Sequence, residues 1–179
     1  MALITPEKLA ASGTEDGTQT AYIQACRVEL QKDFPAVRLI YHVPNGGQRG
    51  DARSAQITMA RMKAMGLVPG VPDVCLPVSR CGYSSLYIEF KKPDGKGSLS
   101  SEQYDYIKLL TSEGNLVAIV DDWYHAFQVT EMYLKGHIEE LKLLVNKTEI
   151  YSIRALHLID VAGYVEKLIM SKAYQKIKK

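Results

Sequence analysis

Apolar positions change period several times along the chain, and each change marks an element. Tyr22, Cys26 and Leu30 recur at steps of four and predict a helix over residues 15–33, closed by Pro35. Residues 37–43 set Val37, Leu39, Tyr41 and Val43 in alternation with Arg38, Ile40 and His42, the pattern of a strand. Pro44-Asn45-Gly46-Gly47 is a turn signal. Ala55, Met59 and Met62 then form a helical stripe that stops at Gly66. After the break at Gly70-Val71-Pro72, a short strand is expected over 73–78 and a second over 84–91, joined as a hairpin through Cys81-Gly82-Tyr83. A Gly/Pro loop over 92–98 follows.

The next helix has a readable start. Ser100 is an N-cap with Gln103 three residues on, and Leu99 is placed to staple against Tyr104. Gln103, Tyr106, Ile107 and Leu110 share one face, and Gly114 ends the helix. Leu116–Val120 is wholly apolar, as in a strand buried on both faces. Asp121 or Asp122 caps a last helix over roughly 123–134. This order predicts an α/β fold, a mixed central sheet flanked by helices. Residues 1–14 read as a loose leader, 15–135 as the domain, and 136–179 as a helical C-terminal extension.

Composition narrows the setting. An apolar share of 46% and a charged share of 23% are ordinary for a globular protein. The longest apolar run of the central chain, Leu116–Val120, is too short to span a bilayer, and the start MALITPEKLA is unlike a secretory signal. A cytoplasmic location is the expectation. Cys26, Cys75 and Cys81 form neither a closed disulfide framework nor a zinc-ligand spacing, and Cys75 reads as a core residue. A net charge of +2 makes no strong case for nucleic acid. Locally, residues 48–65 carry Arg49, Arg53, Arg61 and Lys63 against Asp51 alone, and residues 164–179 form a basic tail.

The chemistry lies in Gly70-Val71-Pro72-Asp73 and Tyr87-Ile88-Glu89-Phe90-Lys91. Alternate residues of a strand share a face, so Glu89 and Lys91 point together while Ile88 and Phe90 enter the opposite layer. Charges on an otherwise apolar strand are costly without partners. With Asp73 on the adjoining strand, two carboxylates and an ammonium converge at one sheet edge. Mg²⁺ takes oxygen ligands and needs one or two carboxylates from the protein. It would neutralise Asp73 and Glu89 and polarise a phosphate oxygen, with the Phe90 carbonyl as a further ligand and Lys91 stabilising transition-state charge.

Pro72-Asp73, a hairpin and Glu89-x-Lys91 resemble the PD-(D/E)XK nuclease core. His42-Val-Pro-Asn-Gly-Gly47, a helix, Gly66-x-x-x-Gly70-Val-Pro-Asp73, Tyr87-Ile-Glu89-Phe-Lys91 and Leu99-Ser-x-x-Gln103 narrow the resemblance to the VRR-NUC (virus-type replication-repair nuclease) family, over residues 15–127. The resemblance implies a restriction-endonuclease-like core and hydrolysis of DNA phosphodiesters with Mg²⁺, for which Mn²⁺ substitutes. It implies a phage-encoded or bacterial protein of replication, recombination or repair. It carries Asp73 and Glu89 over as metal ligands and Lys91 as the catalytic lysine. Gln103 matches the family's helix glutamine near the site, and equally reads as half of a capping box with Ser100. Glu15, four residues before Gln19, fits the acidic residue that many members place at the metal, with Glu29 as the fallback and a solvated helix acid as the bland reading of either.

Several residues have two readings. His42 is a phosphate contact or a hydrogen-bonded structural histidine. Asn45, Gly46 and Gly47 form a tight turn or, with Arg49, an anion nest. Arg53, Lys92 and Lys96 are further candidate contacts to the nucleic-acid backbone. Tyr104, Tyr106 and Trp123 read as core or groove walls, and Asp121 and Asp122 as caps. The leading function is an endonuclease selective for branched DNA such as a Holliday junction, acting as a homodimer paired through Ile138, Leu141, Leu144, Ile159, Val165 and Leu168. The same residues also read as helices packed on their own domain. The alternatives are a restriction-like nuclease that reads sequence and a binding or scaffold protein that has lost catalysis.

Overall fold

The computed structural model describes residues 4–44, 52–93, 98–137 and 156–159, of which 52–55 and 156–159 by backbone alone. Among the described residues, five strands form one sheet in the order β1-β2-β3-β4-β5. They are β1 (Tyr41–His42), β2 (Val74–Leu76), β3 (Leu86–Phe90), β4 (Leu116–Val120) and β5 (Leu156–Ile159). β3 and β4 run parallel and every other neighbouring pair is antiparallel. The expected mixed sheet flanked by helices is therefore present.

The helices are α1 (Pro6–Ala10), α2 (Glu15–Ala25, running on as a π turn over Cys26–Leu30), α3 (Ala52–Ala64), α4 (Ser101–Ser112) and α5 (Trp123–Lys135). α2 and α5 cover one face of the sheet. There Tyr22, Val129 and Tyr133 pack with Leu86, Ile88, Phe90 and the even-numbered residues of β4. Tyr22 is fully buried, with its hydroxyl 2.9 Å from Thr130 Oγ1 and its ring 5.6 Å from that of Phe90. α4 covers the other face, with Ile107, Leu110 and Leu99 over Val117, Ile119 and Tyr87. β4 is buried along its whole length, as its unbroken apolar run requires. Cys75 is buried in β2.

Four expectations need correction. Residues 35–39 form a 3₁₀ turn, and the expected strand over 37–43 shrinks to Tyr41–His42. Pro35 fixes a helical φ at the first position, and Val37 is buried on its own against the α2 face. The leader is not loose throughout: α1 packs on α2, and Gly17 meets Ser12 and the Leu9 carbonyl so closely that no Cβ fits there. The helix over 15–33 ends at Leu30, its last five residues wound as the π turn. The stretch read as a helical extension supplies the edge strand β5, and its remaining residues from 138 onward lie outside the described residues. Among the described residues no helix is long and apolar enough to cross a membrane.

Candidate active site

The C-terminal end of β3, the start of β2 and the first turn of α4 meet at one edge of the sheet. Glu89 is the last but one residue of β3 and faces α4, opposite to Ile88 and Phe90. It is 1% exposed. Lys91 Nζ lies 2.7 Å from Glu89 Oε1 and 3.0 Å from Gln103 Oε1. Gln103 Nε2 donates to the same Glu89 Oε1, closing a triangle of three side chains. Glu89 Oε2 is buried and has no hydrogen-bond partner among the described residues.

Asp73 sits one residue before β2. Its Oδ2 accepts from the Phe90 amide at 2.8 Å, taking the place of a strand carbonyl where the β2–β3 ladder ends. An extended residue turns its N–H and C=O to the same side, so the Phe90 carbonyl leaves β3 on the Asp73 side. The loop before Asp73 is pinned to α4. Gly70 has φ +86°, and a Cβ there would overlap the Glu102 carbonyl and the Gln103 amide. The loop carrying Asp73 and the helix carrying Gln103 are thus fixed to each other by direct backbone contact.

Gln103 forms the capping box and also contacts Lys91 and Glu89. The Ser100 side chain accepts from the Gln103 amide at 3.2 Å, and Gln103 Oε1 accepts from the Ser100 amide at 3.0 Å. That capping box presents the Gln103 carboxamide to Lys91 and Glu89. Glu89 is held unusually acid-weak: its carboxyl is pushed up to about 7, first by burial and then by the Asp73 charge, with Glu15 adding a smaller push. Lys91 pulls in the opposite direction without prevailing.

Glu15 is the first residue of α2 and exposed, within electrostatic reach of Glu89. The fallback Glu29 lies in the π turn, 14 residues further along the same helix, about 20 Å away at the usual rise, and does not join the cluster. Among the described residues, no three His, Cys, Asp or Glu side chains by themselves form a metal-binding group. The donor set nonetheless fits a hard cation. Mg²⁺ needs one or two protein carboxylates and keeps its own waters, and a buried carboxylate oxygen without a donor is the atom such an ion would satisfy.

His42 lies at the margin of the site. Its Nδ1 is 3.1 Å from the Asp73 carbonyl and 2.7 Å from Gln19 Nε2, and the ring stands on the α2 face rather than the Glu89 face. The Gln19 contact was not anticipated; its one sequence signal is the four-residue step from Glu15, which sets both on one side of α2. Lys92 is exposed beyond β3. Arg53 lies on the first turn of α3, and its side chain is outside the described residues, as are Asn45, Gly46, Gly47, Arg49 and Lys96. Asp122, rather than Asp121, caps α5.

The model of the VRR-NUC domain matches residues 17–122, more than half of the chain and every element of this site except Glu15. The chain belongs to the VRR-NUC family. This is a nuclease family, so the site belongs to a nuclease domain. A solved structure described as a VRR_NUC domain protein is 27% identical, with a TM-score of 0.55 over 68% of this chain and 88% of that one. No curated protein matches.

Proposed function

We propose that the protein is an endonuclease that hydrolyses DNA phosphodiester bonds with Mg²⁺, or Mn²⁺ in its place. Asp73, Glu89 and the Phe90 carbonyl would hold the cation, with Glu15 reaching it from α2. The observation that carries this reading is the buried, donorless Oε2 of Glu89 beside Asp73. A carboxylate so placed is costly in an empty protein and useful in one that binds a cation. When bound, the cation neutralises the carboxylates and supplies Lewis-acid contact to a phosphate oxygen.

Hydrolysis adds water across one P–O bond and yields a phosphomonoester and a hydroxyl. Lys91 is built to stabilise the charge that builds up on phosphorus's oxygens. An ammonium has three N–H groups, and among the described residues Glu89 and Gln103 take two of them. The third remains for a phosphate oxygen or the attacking water, at a fixed position. Gln103 keeps the ammonium aimed, since its own orientation is set by the α4 cap.

The substrate in this reading is branched DNA, foremost a four-way junction, met in replication, recombination or repair in a phage or bacterial cytoplasm. A compact domain has one such site, and a symmetric junction needs two cuts, which a two-fold homodimer supplies. The test is cleavage of labelled single strands, duplexes, flaps and four-way junctions in Mg²⁺, Mn²⁺ and chelator, with light scattering on the same protein. Junctions cut fastest by a dimer, with no cutting in chelator, is the expected result. Flaps or single strands cut faster by a monomer would remove the junction-resolving dimer and keep the nuclease.

A further inference from the structure

α3 is the least covered helix described. Of its side chains from 56 to 64, Met59 and Met62 are half-buried and all others are exposed. The outward stripe, opposite those methionines, is Ile57 and Arg61, continued by Met65 just past the helix end, at steps of four. Ile57 is 64% exposed and Met65 78%. Charge on this segment has one sign: residues 52–72 contain no aspartate or glutamate and carry Arg53, Arg61 and Lys63. The segment also leads directly into the site. Gly70 is locked against the first turn of α4, and Asp73 follows three residues later.

We propose that α3 is the arm by which the protein grips branched DNA, an inference that rests on the nuclease reading above. Arg61, on the stripe, binds a backbone phosphate, and Lys63, which two positions on faces another flank of the helix, binds a second. Ile57 and Met65 lie against bases and sugars that a branch leaves unstacked, where apolar side chains find partners that a closed duplex withholds. The arm thereby sets which phosphate reaches Lys91, through the rigid link from Gly70 to Asp73. The other occupant for such a surface is a second copy of the chain. A two-fold pairing through this stripe would oppose Arg61 to cations of its own kind, whereas a polyanion complements them.

Two double variants of the full chain separate the charged from the apolar contribution: Arg61→Ala with Lys63→Ala, and Ile57→Ser with Met65→Ser. All four side chains are exposed, so thermal melting should be unchanged. Binding to labelled four-way junction and to linear duplex is measured by anisotropy against salt, with Ca²⁺ in place of Mg²⁺, and the cleavage rate at saturating junction is measured with Mg²⁺. The charge variant should flatten the salt slope by about two units and weaken both DNAs at least tenfold. The apolar variant should keep the slope and lose most of the preference for junction over duplex. Both should still cut once saturated, at phosphates shifted from those the wild type cuts. Unchanged binding by both variants of an active wild type would overturn the arm and leave the nuclease. A variant that alters the oligomeric state while binding DNA normally would overturn it in favour of self-association. A wild type that neither binds nor cuts DNA would overturn both readings.

Discussion

Lys91 reaches back along its own strand to Glu89, Nζ to Oε1 at 2.7 Å, yet the carboxyl it neutralises still titrates at about 7. An ion pair at the surface would lower that value. Here burial of Glu89 and the charge of Asp73 outweigh the pairing, so the lysine offsets part of a cost and does not remove it. In the proposed site, a bound cation would offset the rest of that cost.

Lys91→Met should therefore do two things. Cleavage should fall on the order of 10²-fold or more as the charge stabiliser disappears. The Glu89 carboxyl should move further up, because its one compensating cation is gone. Carboxyl titration by NMR on labelled protein reads the second effect independently of activity. A Glu89 value unmoved by the substitution would mean that the pair is incidental.

Stability should depend on pH in a direction opposite to that of a salt-bridged acid. Folded Glu89 keeps its proton up to about 7, whereas its ordinary value is 4.5. Between those limits the folded state holds more protons than the unfolded chain, so stability falls as pH rises through the window and is lowest above 7. The loss is at most about 3 kcal/mol. In chelator the melting temperature should drop from pH 5 to pH 8, and Glu89→Gln should flatten that drop. Divalent cation should raise the melting temperature more at pH 8 than at pH 5, since it competes with the proton for the same oxygen.

Gly70→Ala tests the link between the Asp73 loop and α4. The residue would have to hold φ +86° and push its methyl into the Glu102 carbonyl. Backbone strain alone costs about 1–3 kcal/mol, and the overlap adds to it. Expected are a clear fall in melting temperature and a loss of cleavage greater than destabilisation explains at a temperature where the variant is folded. Wild-type stability would show that the loop yields easily.

Ser100→Ala removes one half of the capping box at a cost of about 1 kcal/mol. It touches neither Glu89 nor Lys91. Since the cap orients the Gln103 carboxamide, turnover should fall severalfold with little change in DNA affinity. Ser100→Asp keeps an acceptor at the cap and should restore most of it. Equal loss in both variants would separate capping from catalysis.

Much of the site was legible because its signals are local. Strand alternation alone puts Glu89 and Lys91 on one face, and the Ser100 to Gln103 spacing announces the cap that the structure contains. The break at Gly70-Val71-Pro72 foretold a special backbone, but its partner, the Glu102 carbonyl, is 32 residues away and beyond any local pattern. Tertiary packing also decided the failures. Residues 37–43 alternate like a strand, yet Pro35 and the burial of Val37 turn the first part into a 3₁₀ turn. β5 comes from a stretch whose apolar spacing suits a helix, because the open edge of β4 offers it a ladder to join. For Gln19 the four-residue step from Glu15 marks its side of α2, but its partner His42 is 23 residues away and beyond any local pattern.

The most direct test is cleavage of a labelled four-way junction in Mg²⁺ by wild type, Asp73→Asn and Glu89→Gln, each repeated in chelator. Both substitutions keep the shape of the side chain and remove its charge, so folding should persist and melting confirms it. Wild type should cut in Mg²⁺ and stop in chelator, and each variant should be slowed on the order of 10²-fold or more. Cutting by wild type in chelator, or near-wild-type cutting by a folded Glu89→Gln protein, would contradict a metal-dependent site built on Asp73 and Glu89.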